Sequence, residues 1–310
     1  MQEEDKQTKA IKKKRKEDAS ELKNGRINTY SGYLLIDQEI LYLYDIETRT
    51  ACQVPLGNIK QHGCDDFMIG SFYFLIGGYK LTKKTLSIDV ENDYQEKNRM
   101  DMNVGRIYCT SSTVDYKNIH VLGGRDLHTH LSSCEKYSIE KDKWVMIKSL
   151  NTPRDCINSA VMDYRYIYAI EGRNHAGFNR LVERLDTFDE EEGWEMFYVY
   201  PQTLLRTAKS GCWCIQINST ELLIAGGTRT FDDRVFDDAW IFNTRTKEIK
   251  AHANKLPISA ELYEPSVMYN GWYHQLNYCY DKPEYNLIQF SIITRDFKVI
   301  EAKDLWESEL

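Results

Sequence analysis

A large apolar residue closes a β-rich run six times in this chain, at Tyr44, Ile88, Tyr137, Leu185, Phe242 and Phe290. Six to nine residues downstream stands a second one in most copies, at Tyr94, Trp144, Trp194, Ile249 and Phe297, with Ala51 in the first copy. Successive copies lie 44, 49, 48, 57 and 48 residues apart. A recurrence of that length marks a repeat architecture, so it overrides the two-domain expectation that 310 residues would otherwise raise.

The third copy shows the unit most plainly. Residues 107–114, 118–122, 134–139 and 144–147 are four apolar or β-branched runs, separated by turn-rich stretches at 115–117, 123–133 and 140–143. Such punctuation belongs to hairpins rather than helical crossovers. Beyond residue 27 no segment sustains a helix-period stripe. Six four-stranded antiparallel units have one well-populated arrangement, in which each sheet is hidden between its neighbours around an axis. The expectation is therefore all-β: a six-bladed β-propeller over residues 27–310, with units at 27–57, 62–103, 106–150, 154–202, 206–257 and 261–305. The first unit is a strand short, and either Arg26 to Tyr30 or Lys303 to Leu310 is expected to close the ring.

Residues 1–26 have different physics. They hold nine Lys or Arg and six Asp or Glu, while Ile11 and Leu22 are their only large apolar residues after Met1. Two anchors do not offset the entropy of ordering so long a segment, which makes it a charged tail, helical or disordered. Its cluster Lys12, Lys13, Lys14, Arg15 and Lys16 suits a polyanion or an import receptor, and equally a solvated helix face. The formal charge of −7 leaves −10 on residues 27–310 once the +3 of the tail is removed. An acidic body is not expected to hold nucleic acid, whose affinity is dominated by phosphate neutralisation. No apolar run approaches the ~18 residues of a membrane span, and no apolar segment follows Met1 as in a secretory signal. The eight cysteines fall mostly within apolar runs and form no Cys-x-x-Cys pair, as expected of reduced thiols in a cytoplasmic, or nuclear, protein.

The third unit carries Gly123 and Gly124 at the end of its second run, Tyr137 in the third and Trp144 opening the fourth, followed by Pro153 and Arg154. The doublet returns as Gly77-Gly78, Gly226-Gly227 and Glu171-Gly172, and the Trp as Trp194. In these features the chain resembles the kelch-repeat family of β-propellers. Units one and six depart from it, with Ile36-Asp37 and Asn277-Tyr278 at the doublet. The resemblance implies structural roles for the glycines and aromatics, and a loop face that commonly takes acidic or extended peptide segments.

On that face the residues past the glycines are basic for an acidic body: Lys80, Arg125, His128, His130, Arg173, His175, Arg180, Arg229 and Arg234. Guanidinium groups bind carboxylate or phosphate through paired hydrogen bonds. Asp126, Asp232, Asp233, Asp237 and Asp238 share these loops and are alternative partners for the arginines. A second set, Arg106, Arg154 and Arg206, opens units and is expected to bond to blade backbone. His128, His130 and Asp126 approach a metal-ligand set, but two ligands one residue apart without a matching cluster make no site, so no metal and no cofactor is expected. No nucleophile elbow, phosphate loop or zinc-protease helix occurs. The sequence thus points to a non-catalytic interaction scaffold or adaptor binding an acidic protein segment, with a propeller enzyme of sugar-isomerase or oxidase type as the alternative.

Overall fold

The computed structural model describes residues 30–34, 40–46, 50–55 and 63–301, the last span excepting 80–81, 91, 93, 179–180, 201–208, 230–233, 261–265 and 280–283. The charged tail and the segment 303–310 lie outside the described residues, so the expectations for both stand untouched.

Five units fold as four-stranded antiparallel blades, each in simple sequence order, and are numbered here as the sequence units. Blade 2 comprises Cys64–Ile69, Phe72–Gly77, Thr85–Asp89 and Gln95–Asn98. Blade 3 comprises Thr110–Ser112, Asn118–Leu122, Cys134–Ser138 and Lys143–Ile147. Blade 4 has Asn158–Met162, Tyr166–Ile170, Leu181–Asp186 and Trp194–Tyr198. Blade 5 has Trp213–Gln216, Glu221–Ala225, Ala239–Asn243 and Ile249–Ala251. Blade 6 has Val267–Tyr269, Trp272–Cys279, Glu284–Ser291 and Phe297–Ile300.

The molecule is a β-propeller of five such blades, which corrects the expectation of six. The first unit supplies only a three-stranded sheet, Tyr30–Leu34, Ile40–Asp45 and Thr50–Pro55. Its Tyr44 lies on the middle strand opposite Ala51, so by analogy with the blades the three described strands are the second, third and fourth of the unit. The sheet approaches the second strand of blade 6 through Tyr30–Leu34. No α-helix occurs among the described residues, which include a single 3-10 turn at Glu190–Glu192.

The recurrence that marks the sequence is a register signal. Tyr137 faces Trp144 across the third and fourth strands, Leu185 faces Trp194, Phe242 faces Ile249 and Phe290 faces Phe297. Cross-strand pairs of this kind are the unit of sheet stabilisation. Blade 2 differs, because Ile88 faces Glu96 while Tyr94 sits in the preceding turn with a positive φ of 55°. Most of the apolar core lies between blades, although Met68, Tyr73, Leu75, Ile88 and Val90 cluster within blade 2. Phe67, Phe74 and Ile76 of blade 2 pack with Val121, Tyr137 and Trp144 of blade 3. Leu122 of blade 3 packs with Ile167, Leu185 and Trp194 of blade 4, and Tyr168 with Leu222 and Phe242 across blades 4 and 5. The indole Nε1 of Trp144 donates to the Met100 carbonyl at 2.9 Å and that of Trp194 to the Lys148 carbonyl at 2.9 Å, so these two fourth-strand tryptophans satisfy their donors at the edge of the preceding unit.

Candidate functional site

The basic residues that open the units are structural. Arg106 is fully buried; its Nη1 donates to the carbonyls of Gly123 at 2.7 Å and Ser133 at 2.8 Å, and its Nη2 to Glu135 Oε1 at 2.7 Å. Glu135 is completed by the backbone N–H of Asn103 at 2.7 Å and of Val104 at 3.0 Å. Blade 4 repeats the device. Arg154 Nη1 donates to the carbonyls of Glu171 at 3.0 Å and Leu181 at 2.9 Å, Arg154 Nη2 to Glu183, and Asn151 and Thr152 complete the carboxylate. In both, base and acid are 29 residues apart. The same spacing joins Lys209 to Asp238, which are paired in blade 5. Lys209, rather than Arg206, thus holds the opening position of that unit, and Arg206 lies outside the described residues. The signal was present in the sequence as an invariant base-to-acid spacing.

The second strands of blades 3, 4 and 5 lead into small hairpins. Arg125 bridges Ile107 on one side and His130 on the other. Arg173 bridges Asp155 and pairs with Phe178, and Arg229 pairs with Lys209 and Arg234. Each hairpin is therefore tied to the residues that open its own blade. Gly124 shows why glycine starts this path: at its φ of 93° an added Cβ would lie 2.8 Å from the Ile107 carbonyl.

At the junction of blades 3 and 4 the hairpins bring Arg125, His130, Arg173 and His175 together around one buried carboxylate, Asp155. Arg173 Nε donates to Asp155 Oδ1 at 2.8 Å. Arg125 Nε lies 3.8 Å from Oδ2 and His130 Nε2 3.7 Å from Oδ1. Asp155 is fully buried whereas the Arg125 and Arg173 side chains are 41% and 31% exposed, so the carboxylate sits beneath the cations. Arg125 stacks over the Tyr108 ring at 5.1 Å, and the His130 and His175 rings meet edge to face at 4.5 Å. Burial pushes the His130 pKa below its ordinary value, against Asp155, with the His175, Arg173 and Arg125 charges adding to the fall. Burial lowers that of Arg173, but its hydrogen bond to Asp155 together with the charges of Cys156, Asp155 and Tyr108 outweighs this and the net shift is upward. The Nη groups of Arg125 and Arg173 make no hydrogen bond among the described residues, which leaves them available for an anionic group.

Of the residues expected on this face, Arg125, His130, Arg173 and His175 converge. His128 is exposed in the Arg125 hairpin, where its N–H donates to Asp126 at 2.8 Å. Arg234 is in the blade 5 hairpin with its guanidinium over Phe236 at 5.4 Å. The backbone of Arg229 is placed beside it, while Lys80 and Arg180 lie outside the described residues. Of the acids in the same loops, Asp237 pairs with Lys255 at 2.8 Å and Asp126 closes its own turn, so neither neutralises Arg125 or Arg173. Asp155, the anchor of the cluster, had no separate signal in the sequence: it follows Arg154 and reads as part of a turn. Asp155→Asn removes the buried charge under three basic groups and is expected to cost about 1–3 kcal/mol of stability in chemical denaturation. An unchanged midpoint would show that Asp155 anchors nothing.

The Kelch motif family model matches residues 106–151, the span of blade 3 with its doublet, Tyr137 and Trp144. A RING finger domain and kelch repeat-containing protein of Dictyostelium discoideum is 28% identical to the chain over 174 residues. The propeller carries a kelch repeat in blade 3. The similarity covers 55% of this chain and 17% of that relative. Within the kelch propeller, blades 3 and 4 keep the repeat features most fully, and these same blades build the Asp155 cluster.

Proposed function

We propose that this kelch propeller is a protein-interaction scaffold whose loop face receives an acidic or extended segment of a partner. The observation that carries the reading is the anchoring of Arg125 and Arg173 over buried Asp155. Both guanidinium groups are turned to it through Nε, and the remaining donors form a pre-ordered receptor for a carboxylate. The face would be extended by His175, Arg229 and Arg234. The described cysteines Cys109, Cys134, Cys156, Cys212 and Cys214 are free thiols, which fits the cytoplasmic or nuclear location this reading carries with it.

The test is quantitative mass spectrometry of proteins that co-purify with the wild type and with an R125A/R173A variant. Each charge-assisted hydrogen bond contributes about 1.5–3 kcal/mol, so the loss of two is expected to weaken an acidic partner by about 100-fold or more. Partners with acidic segments should disappear from the variant at temperatures below its own thermal midpoint, which is expected to fall because buried Asp155 loses its two cations. Retention of every partner at wild-type abundance would sink the proposal.

A further inference from the structure

The two ends of the blades differ in charge. The second strands of blades 3 and 4, Asn118–Leu122 and Tyr166–Ile170, lead at one end into the Arg125 and Arg173 hairpins and begin at the other beside Tyr116 and Tyr164. At this other end lie the turns that join first to second and third to fourth strands. In blades 3 and 4 those turns, residues 115–117, 139–142, 163–165 and 187–193, hold eight acids and three bases. The same turns of blades 5 and 6, at 217–220, 244–248, 270–271 and 292–296, hold two acids and three bases. The acidic character is therefore local to two blades. Asp115, Asp163, Asp189 and Glu192 are exposed and make no ion pair among the described residues, and the Glu191 side chain, 95% exposed, reaches Lys148 only at 4.0 Å. Glu190 binds His120 at 2.8 Å, which fixes the acidic turn of blade 4 beside blade 3.

Aromatic rings stand among these acids. Tyr116 is 46% exposed, Tyr164 67% and Phe188 75%. The first-to-second turns of blades 2 and 6 place Gly70 and Gly271 in the left-handed region, with φ of 59° and 77°, whereas those of blades 3 and 4 place Tyr116 and Tyr164 there, with φ of 56° and 51°. A bulky L-residue is disfavoured in that conformation, so the two tyrosines lower stability without the compensation of full burial. Their turns are nevertheless fixed. Asp163 N–H donates to Gln216 Oε1 at 2.9 Å and Gln216 Nε2 to Asp163 Oδ1 at 2.7 Å, while Asp115 Oδ1 accepts the N–H groups of Lys117 at 3.0 Å and Asn118 at 2.9 Å. Partial burial raises the Tyr116 pKa and the Tyr164 charge adds to it; the same two causes raise that of Tyr273 to about 12. Tyr164 thus lies within electrostatic reach of tyrosines on blades 3 and 6. Arg165 is engaged by Asp186 at 2.8 Å and lies over the Phe188 ring at 4.9 Å, which leaves the neighbouring acids without it.

We propose that this face is the docking surface for the chain's own basic segment Lys12, Lys13, Lys14, Arg15 and Lys16, with the exposed rings and the unpaired carboxylates receiving its cations. Two observations choose this occupant. The first is complementarity: five consecutive cations match acids that lack a cation and aromatic faces over which ammonium and guanidinium groups bind. The second is where the chain enters the described structure. Tyr30 pairs with Asp45, and Asp45 with Thr50, so Tyr30 lies at the end of its sheet that carries the turn between third and fourth strands, the end where the acids of blades 3 and 4 lie. Lys16 precedes Tyr30 by 14 residues, a reach of up to about 46 Å. Sheets packed ~10 Å apart around the axis put opposite units about 20 Å from one another, well within that reach. The Asp155 cluster, on the other face, has no part in the proposal.

The test is zero-length carbodiimide crosslinking of the full chain, with isotope-labelled and unlabelled protein mixed and the links mapped by mass spectrometry. Amide links are expected from Lys12, Lys13, Lys14 or Lys16 to Asp115, Asp163, Asp189, Glu191 or Glu192 within one chain, and none to Asp126 on the arginine face. Salt at ~1 M, which screens charges beyond about 3 Å, should abolish them. Tyr164→Gly should lower their yield about 2- to 5-fold, the contribution of one exposed cation–π contact, while its thermal midpoint holds or rises because glycine accepts the left-handed turn. Links to acids of both faces alike, links between chains rather than within them, or an unchanged yield in Tyr164→Gly would each overturn the proposal. A basic segment that links to none of these acids, and is thus left to an outside polyanion or receptor, would overturn it as well.

Discussion

Arg154→Met is expected to lower stability by about 3–5 kcal/mol, the cost of leaving a buried ion unpaired. Arg154 and Glu183 are fully buried, and each depends on the other. Without the guanidinium, the carbonyls of Glu171 and Leu181 lose their donor and Glu183 keeps only its bonds to Asn151 and Thr152. Those carbonyls belong to the end of the second strand and the start of the third, so the arginine holds together the residues from which the Arg173 hairpin springs. In thermal unfolding the loss should appear as a fall of roughly 5–10 °C in Tm. The double variant Arg154→Met, Glu183→Leu should recover only part of it, because it removes the unpaired carboxylate but leaves those carbonyls, and the Asn151 and Thr152 N–H groups, without their partners. A single variant within 1 °C of the wild type would show that the ion pair is not what orders the blade.

Gly123→Ala is expected to cost about 2–4 kcal/mol, as the sum of a left-handed conformation at an L-residue and a collision with backbone. Its φ is 54°, and an added Cβ would lie 2.6 Å from the Arg154 carbonyl and 2.7 Å from Ile157 Cδ1. The carbonyl cannot retreat without breaking its bond to Gly124 N–H, which is part of the seam between blades 3 and 4. Blade 4 shows the outcome of such a change in place: with Glu171 at the corresponding position, the next seam is held by side chains. Gly123→Ala should therefore unfold at lower denaturant concentration and lose amide protection at Gly124. Wild-type protection of that amide would mean that the seam tolerates the methyl group and that the glycine is not required by close approach.

Much of the blade architecture was legible because a strand repeat leaves evenly spaced marks. Tyr137 with Trp144, and Phe290 with Phe297, are cross-strand partners, so a spacing in the sequence maps directly onto a register in the sheet. The number of complete blades was less legible, since a unit with three strands among the described residues still shows the third-strand aromatic Tyr44. The candidate site was legible in part. Arg125 and Arg173 stood out as bases beside glycines in an acidic chain, but Asp155, Lys209 and Glu171 did not, because a single acid or base next to a turn has many ordinary explanations. What distinguishes them is burial together with a partner on another strand or blade, and neither property is local.

The sequence by itself determined the repeat, the all-β class and the basic character of the loops after the doublets, because strand periodicity, turn chemistry and charge are written into consecutive residues. Only the tertiary structure decided which bases work together. Packing blade 3 against blade 4 sets two arginines over one carboxylate, and packing blade 4 against blade 5 encloses Glu171 between Asn158 and Lys209. The physical reason is that desolvation and pairing act through space: a carboxyl group acquires its partners and its pKa from the blade packed against it, not from its neighbours along the chain.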